Sequence, residues 1–294
     1  MDETVKRAVR RAFERAAAHY DAAAFLQQEI ARRLDERQEG MKIAPRRILD
    51  AGCGTGYGAA LLRARHAGVE IIGLDLAERM LARARARHRG GLPRRLRQRL
   101  LGAAPAFQPL CGDLENLPLA GASVDMVWSS LALQWLETPE VAFREAYRVL
   151  PPDGLFIFAS FGPDTLKELR AASAGIDGYQ HVNRFVDMHD LGDALVHAGF
   201  VNPVMEMEHI TLTYADLPAL LRDLKGIGAH TVLHDRRAGL MGKAAWRRLA
   251  ENYAAYRRDD GRLPATYEVI YGHAWAGRPK TAPDGRQAIE FRKR

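Results

Sequence analysis

With 294 residues, 47% hydrophobic and 27% charged, the chain has an ordinary soluble composition and the length for one enlarged α/β domain. No run approaches the roughly 18 apolar residues of a membrane span, the opening MDETVKRAVR lacks a signal core, and two cysteines are too few for a disulfide framework, so a reduced, cytoplasmic enzyme is expected. The formal net charge of +7 gathers in residues 83–99 and the closing FRKR, but 83–99 holds no interleaved aromatics, so neither nucleic acid nor membrane is expected as a partner.

Residues 4–38 are alanine-rich, without glycine or proline. Apolar positions at Ala8, Ala12, Phe13, Ala16 and Ala17, then Phe25, Leu26 and Ile30, predict two helices with a break at Tyr20-Asp21. The period changes at Arg46. RRILDAGCGTGYGAALLRARH predicts a buried strand over 47–51, a glycine turn and a helix from Tyr57. VEIIGLDLAERMLARARAR repeats that grammar, with a strand over 70–74 ending at Asp75 and a helix from Ala77.

Strands are then expected at 107–111, 124–129 and 155–160, with a helix at 139–149 between the last two. The later chain predicts helices at 164–174 and 188–198, a strand at 201–213, helices at 216–225 and 243–257, and a strand at 266–277. Alternating strands and helices with short links imply a doubly wound, mostly parallel sheet covered on both faces. Residues 1–45 read as a helical cap and 46–294 as the main domain, with insertions at about 164–200 and 214–262.

Asp50-Ala51-Gly52-Cys53-Gly54-Thr55-Gly56 lies between a strand and a helix, where glycines let backbone N–H groups approach a ligand without a Cβ in the way. Asp75 ends the next strand, where a carboxylate can accept both hydroxyls of a ribose. Gly112-Asp113 with Leu117-Pro118 follows the third strand, at the place for an adenine amino group. Each residue alone has a plain reading, as a turn former or a helix cap. Together, in order and at strand ends, they point to a nucleoside. The G-x-G-x-x-G spacing of a dinucleotide turn is absent from this turn.

The pattern resembles the class I S-adenosylmethionine-dependent methyltransferases. That resemblance implies a seven-stranded sheet with the last strand antiparallel, methionine near Gly52, Gly54 and Gly56, ribose on Asp75, and adenine near Leu76, Met80, Asp113 and Leu114. Asp50, Ser129 and Gln134 complete the expected cofactor contacts, with Gln134 positioning either cofactor or acceptor, and no metal is expected.

Three regions are similar to one family, the malonyl-acyl-carrier-protein O-methyltransferases of biotin synthesis. They are Phe13-Glu14-Arg15-Ala16-Ala17-Ala18-His19-Tyr20-Asp21 with Leu26-Gln27, then Ser130-Leu131-Ala132-Leu133-Gln134-Trp135, and a distal set. The distal set comprises FGPDTLKEL (161–169), HVNRF (181–185), LKGIGA (224–229) and LPATYE (263–268). The chain departs from the family's pattern at Ser129-Ser130, where asparagine is common, and at Pro151-Pro152-Asp153-Gly154. The resemblance implies methyl transfer to the free carboxylate of malonyl-acyl carrier protein or malonyl-CoA, giving the methyl ester that starts pimeloyl synthesis.

A carboxylate is ionised near neutral pH, so no general base is needed. The site must align three atoms and exclude water. Tyr20, on the cap, is the first catalytic candidate, bordering the methyl or the cofactor carboxylate. Arg184 is the candidate for the malonyl carboxylate because its planar fork suits that group. His181, Lys225 and His230 stand behind it. Trp135 is expected to pack. Arg94, Arg95, Arg97 and Arg99 are candidates to steer an acidic carrier protein. Two other readings are a methyltransferase for a different small carboxylic acid or a quinone precursor, and a non-catalytic cofactor-binding assembly factor. A related branch of mitochondrial assembly proteins carries presequences, which this opening does not resemble.

Overall fold

The computed structural model describes residues 2–89, 107–228 and 241–278. Seven strands form one sheet: β1 (Arg47–Ala51), β2 (Glu70–Asp75), β3 (Phe107–Cys111), β4 (Met126–Ser130), β5 (Leu155–Phe161), β6 (Phe200–Tyr214) and β7 (Leu263–Ala276). Their order across the sheet is β3-β2-β1-β4-β5-β7-β6. The first five pair in parallel, and β7 runs antiparallel to both β5 and β6. This is the expected doubly wound sheet with its antiparallel last strand.

Ten helices connect the strands among the described residues. The cap supplies α1 (Glu3–Ala16), α2 (Tyr20–Ala23) and α3 (Phe25–Glu36); α4 (Tyr57–Arg65) and α5 (Glu78–Arg87) follow β1 and β2. Then come α6 (Pro139–Val149), α7 (Lys167–Ser173), α8 (Met188–His197), α9 (Leu217–Gly226) and α10 (Lys243–Ala254).

Strand side chains alternate between the two faces, and each face has its own core. Ile48, Ile71, Met126, Trp128 and Ile157 pack on one side with α3 and α4. Leu49, Ile72, Val127, Phe156 and Phe158 pack on the other with α6 and α8. That two-sided burial explains why adjacent positions are apolar at Ile48-Leu49 in β1, at Ile71-Ile72 in β2 and over 155–159 in β5.

Several boundaries differ from the sequence expectation. The cap breaks at residues 17–19, and Tyr20 begins a one-turn helix of its own. The helix expected from 164 starts at Lys167, because Leu166 is left-handed (φ 55°) and its N–H bonds Thr266 across the chain at 2.6 Å. The last strand starts at Leu263, where it pairs with Tyr214 at the far end of β6.

The strand order reverses between β1 and β4, and the crevice at their carboxyl ends is where an open α/β sheet takes its ligand. The cap lies over that crevice.

Candidate functional site

The glycine turn folds back over the end of β2. Gly52 and Cys53 both donate backbone N–H groups to the Leu74 carbonyl, at 2.8 and 2.9 Å. Gly52 has φ +84°, and a Cβ there would stand 2.3 Å from the Ala132 methyl. Glycine is required on both counts. Gly56 (φ +80°) opens α4, and a Cβ on it would meet His88.

Asp75 ties this loop to the strand tip. One carboxylate oxygen accepts from Gly54 N–H at 2.8 Å and the other from Ala77 N–H at 2.8 Å. Burial pushes its carboxyl up to about 6, against the stabilising N–H groups of Ala77 and Gly54. Asp50, at the end of β1, is buried too. Burial and then the Asp75 charge push it up to about 7.

Two cavities meet at the glycine turn. The first is lined by Tyr20, Gln27, Asp50, Gly52, Thr55 and Trp128 among others. Three buried polar atoms of that lining, Asp50 Oδ2, Gln27 Oε1 and Trp128 Nε1, have no hydrogen-bond partner among the described residues. The second cavity runs beneath α1 along Asp75, Leu76, Met80, Asp113, Leu114 and Trp135. Tyr20, Gly52, Gly54 and Ser130 belong to both.

The cap is fastened around these cavities by charge. Lys6 pairs with Asp113, and with Glu115 at 2.6 Å. Asp21 accepts from the Thr55 hydroxyl at 2.5 Å and pairs with Arg87 at 2.5 Å. Phe13 meets Trp135 edge-on, with ring centroids 5.3 Å apart. Tyr20 sits between the cavities, and burial followed by the charges of Asp75 and Asp21 raises its phenol above the ordinary range. It remains protonated at neutral pH.

A third cavity adjoins the second across Trp135. Gln134, Phe161, His181, Asn183, Phe185 and Tyr267 help to line it, and no acidic side chain does so among the described residues. His181 Nε2 lies 2.9 Å from Asp177 behind the wall. Gln134 and Asn183 each present a buried side-chain oxygen without a partner among the described residues.

Residues 49–158 match the model of the methyltransferase domain. A malonyl-[acyl-carrier protein] O-methyltransferase of Laribacter hongkongensis is 56% identical over 98% of this chain and 96% of its own length. Its counterpart in Gallionella capsiferriformans is 51% identical over 97% and 96%. The chain belongs to the malonyl-[acyl-carrier protein] O-methyltransferase family. Among solved structures, the YcgJ protein of Bacillus subtilis aligns with TM-score 0.57 at 15% identity, over 85% of this chain and 99% of that one. A SAM-dependent methyltransferase of Thermotoga maritima aligns with TM-score 0.51 at 18% identity, over 91% and 99%. These two share the fold.

This member of the malonyl-[acyl-carrier protein] O-methyltransferase family thus carries its methyltransferase fold on the sheet and its distinguishing segments around the third cavity. Of the residues expected from sequence, Tyr20, Asp50, Gly52, Gly54, Asp75, Leu76, Met80, Asp113 and Leu114 come together around the first two cavities. Gly56 shapes the turn without lining either one. Ser129 is fully buried and donates to the Ala51 carbonyl at 2.9 Å; strand alternation gives the cavity position to Ser130 instead. Gln134 lines the third cavity, not the cofactor side, with its amide nitrogen held on the Leu131 carbonyl at 2.7 Å.

Arg184 lines none of these cavities. It is exposed, whereas its neighbours His181, Val182, Asn183 and Phe185 face inward. Trp135, expected only to pack, is the shared wall of two cavities. Lys225 is exposed on α9. His230, Arg94, Arg95, Arg97 and Arg99 lie outside the described residues.

Sequence reasoning passed over Lys6 and Gln27. Lys6 is one of several cations on an amphipathic helix, indistinguishable until its distant partner is known. Gln27 offered a faint signal, as a polar residue beside buried Leu26 inside the quoted cap motif. Leu131 is a further residue of note. It lines the second cavity in a left-handed conformation (φ 54°), a strain a non-glycine residue adopts only when its surroundings impose it.

Proposed function

We propose that the protein transfers the methyl group of S-adenosylmethionine to the free carboxylate of a malonyl thioester, carried by acyl carrier protein or coenzyme A, the first step toward pimeloyl for biotin. One observation carries this reading: the two sides of Trp135 differ in charge, the first acidic and the second without a lining carboxylate among the described residues. On one side stand Asp50, Asp75 and Asp113, suited to a cationic nucleoside. On the other no such carboxylate repels an anion, and His181 is the lining side chain that can turn a ring nitrogen toward one.

The buried polar atoms fit such a cofactor. Asp50 Oδ2 and Gln27 Oε1 are acceptors placed for an ammonium group, and burying a carboxylate with no counter-charge is costly. Asp75 has lone pairs left for ribose hydroxyls, and Asp113 stands near the adenine end. S-adenosylmethionine supplies an electrophilic sulfonium methyl. The chain's own residues align the acceptor and keep water out.

Tyr20, protonated and placed between the cavities, borders the reacting centre as a hydrogen-bond donor. His181, steadied by Asp177, replaces Arg184 as the side chain best placed toward the acceptor carboxylate. A single contact of this kind orients the nucleophile without quenching it. Phe161, Phe185 and Tyr267 supply the apolar wall that excludes water. In this reading residues 1–45 are the lid, 164–200 and 214–262 enclose the acceptor, and the enzyme works in the cytoplasm. No helix among the described residues is long and apolar enough to cross a membrane.

The test offers malonyl-carrier protein, malonyl-CoA, free malonate and a succinyl thioester with methyl-labelled cofactor. Label transferred to the malonyl thioesters, and not to the succinyl analogue, supports the reading. Transfer to none of them removes it.

A further inference from the structure

The third cavity has an outer wall. It shares Ile227 and Tyr267 with an open groove on the surface, bounded by α2, α3, the end of β6 and α9. Cofactor side and acceptor cavity adjoin at Trp135, acceptor cavity and groove at Ile227 and Tyr267, and the groove also touches the first cavity at Gln27.

We propose that this groove admits the 4′-phosphopantetheine arm of the acyl thioester, with Arg222 at its rim facing the phosphate. The assignment rests on the malonyl-thioester reading and adds the route by which that substrate enters. The arm is a thin chain of methylenes and amides with a phosphate at its outer end. The groove matches that sequence of groups. Its walls combine the apolar Leu26 and Leu212 with the hydroxyl-bearing Thr211 and Thr213.

Phe25 lies on the same groove and is 65% exposed, adding apolar surface to it. Arg222 is exposed, and among the described residues its guanidinium makes one hydrogen bond, from Nε to the Pro218 carbonyl at 3.3 Å. Asp223, the one acidic residue of the lining among the described residues, accepts from the Tyr214 hydroxyl at 2.7 Å. Deeper in, the unpartnered oxygens of Gln134 and Asn183 await donors, and the arm's amide N–H groups are donors of the right kind. The Gln134 amide nitrogen is fixed on Leu131, so its oxygen has a set direction.

Three acceptors with the same malonyl end separate the possibilities: malonyl-carrier protein, malonyl-CoA and malonyl-N-acetylcysteamine, which lacks the outer arm and phosphate. Arg222→Glu should raise KM for the first two at least tenfold, with kcat, cofactor Kd and the truncated acceptor's kcat/KM changed less than twofold. Thr211→Trp, at an exposed strand position that tolerates a large aromatic, should obstruct the long acceptors and spare the short one. Equal effects on all three acceptors, or no effect on any, would overturn the groove assignment alone. A wild-type enzyme that methylates none of the three would overturn the thioester reading, and the assignment with it.

Discussion

Lys6 on the first helix is paired with Asp113 in the loop after the third strand, 107 residues away. The same ammonium also meets Glu115, so two acids draw the start of the chain down over the adenine end of the proposed site. Their charges in turn hold the lysine firmly protonated, overcoming the desolvation that works against it. A partly buried contact to two carboxylates is worth about 1–3 kcal/mol. Lys6→Met should therefore weaken binding of S-adenosylmethionine or its demethylated product by roughly tenfold in calorimetry. It should also expose α1 to limited proteolysis. An unaltered Kd would mean that the pair secures the fold and not the ligand.

Cofactor affinity should depend on pH through Asp50. In the free fold its carboxyl titrates at about 7, and only the ionised form attracts an ammonium group. Below that pH each binding event must release a proton, so affinity should rise roughly eightfold between pH 6 and 7.5 and then level off. Asp75, near 6, acts in the same direction at the lower end. Asp50's contribution to the stability of the free fold runs the other way. The native carboxyl keeps its proton above the pH where the unfolded one loses it, so stability falls as pH climbs from about 4 to 7. Titration calorimetry in buffers of different ionisation enthalpy counts the protons directly. Asp50→Asn should flatten the profile, and a flat profile in the wild type would show that Asp50 makes no such contact.

Tyr20→Phe removes one hydroxyl between two cavities and leaves the ring's packing against Phe13 intact. Loss of one hydrogen bond to a charged partner costs about 1.5–3 kcal/mol, so kcat should fall by roughly one to two orders of magnitude. Melting temperature should move by only a degree or two. Undiminished turnover would remove Tyr20 from the reaction.

Gly52→Ala should damage the fold and the cofactor site together. The new methyl meets Ala132, and the residue is held at positive φ. Backbone strain and overpacking together cost roughly 2–4 kcal/mol. Gly54, also at positive φ but with open space around the Cβ position, should cost about 1 kcal/mol in the same substitution. Chemical denaturation of the two variants side by side tests that ranking.

What sequence could reveal followed a periodic or local rule. β1 and β2 were legible because both their faces are buried, and the glycine turn because its geometry tolerates few other residues. Asp75 was legible from its place at a strand tip, where it holds Gly54 and Ala77. The rule failed by a single position at the end of β4, where Ser129 turns into the core and Ser130 outward. It failed more fully at Arg184, because an irregular loop has no period from which to read direction. Lys6 lay beyond reach for another reason: its role depends on a partner that chain folding, not local pattern, delivers. The residue-level resemblance to the family reached furthest, since it spans the distal segments that now line the third cavity.

The inverted end of the sheet constrains the order of manufacture. β6 leaves the ribosome before β7, yet its ladder is formed with β7, which also bonds β5 on its other side. Until residues 263–276 emerge, two strands wait with open edges, one of them fifteen residues long. The nascent polypeptide therefore passes through a stage in which the groove and the third cavity, both of which need Tyr267, do not exist. The proposed acceptor site is assembled last, as a keystone dropped between flanks already standing.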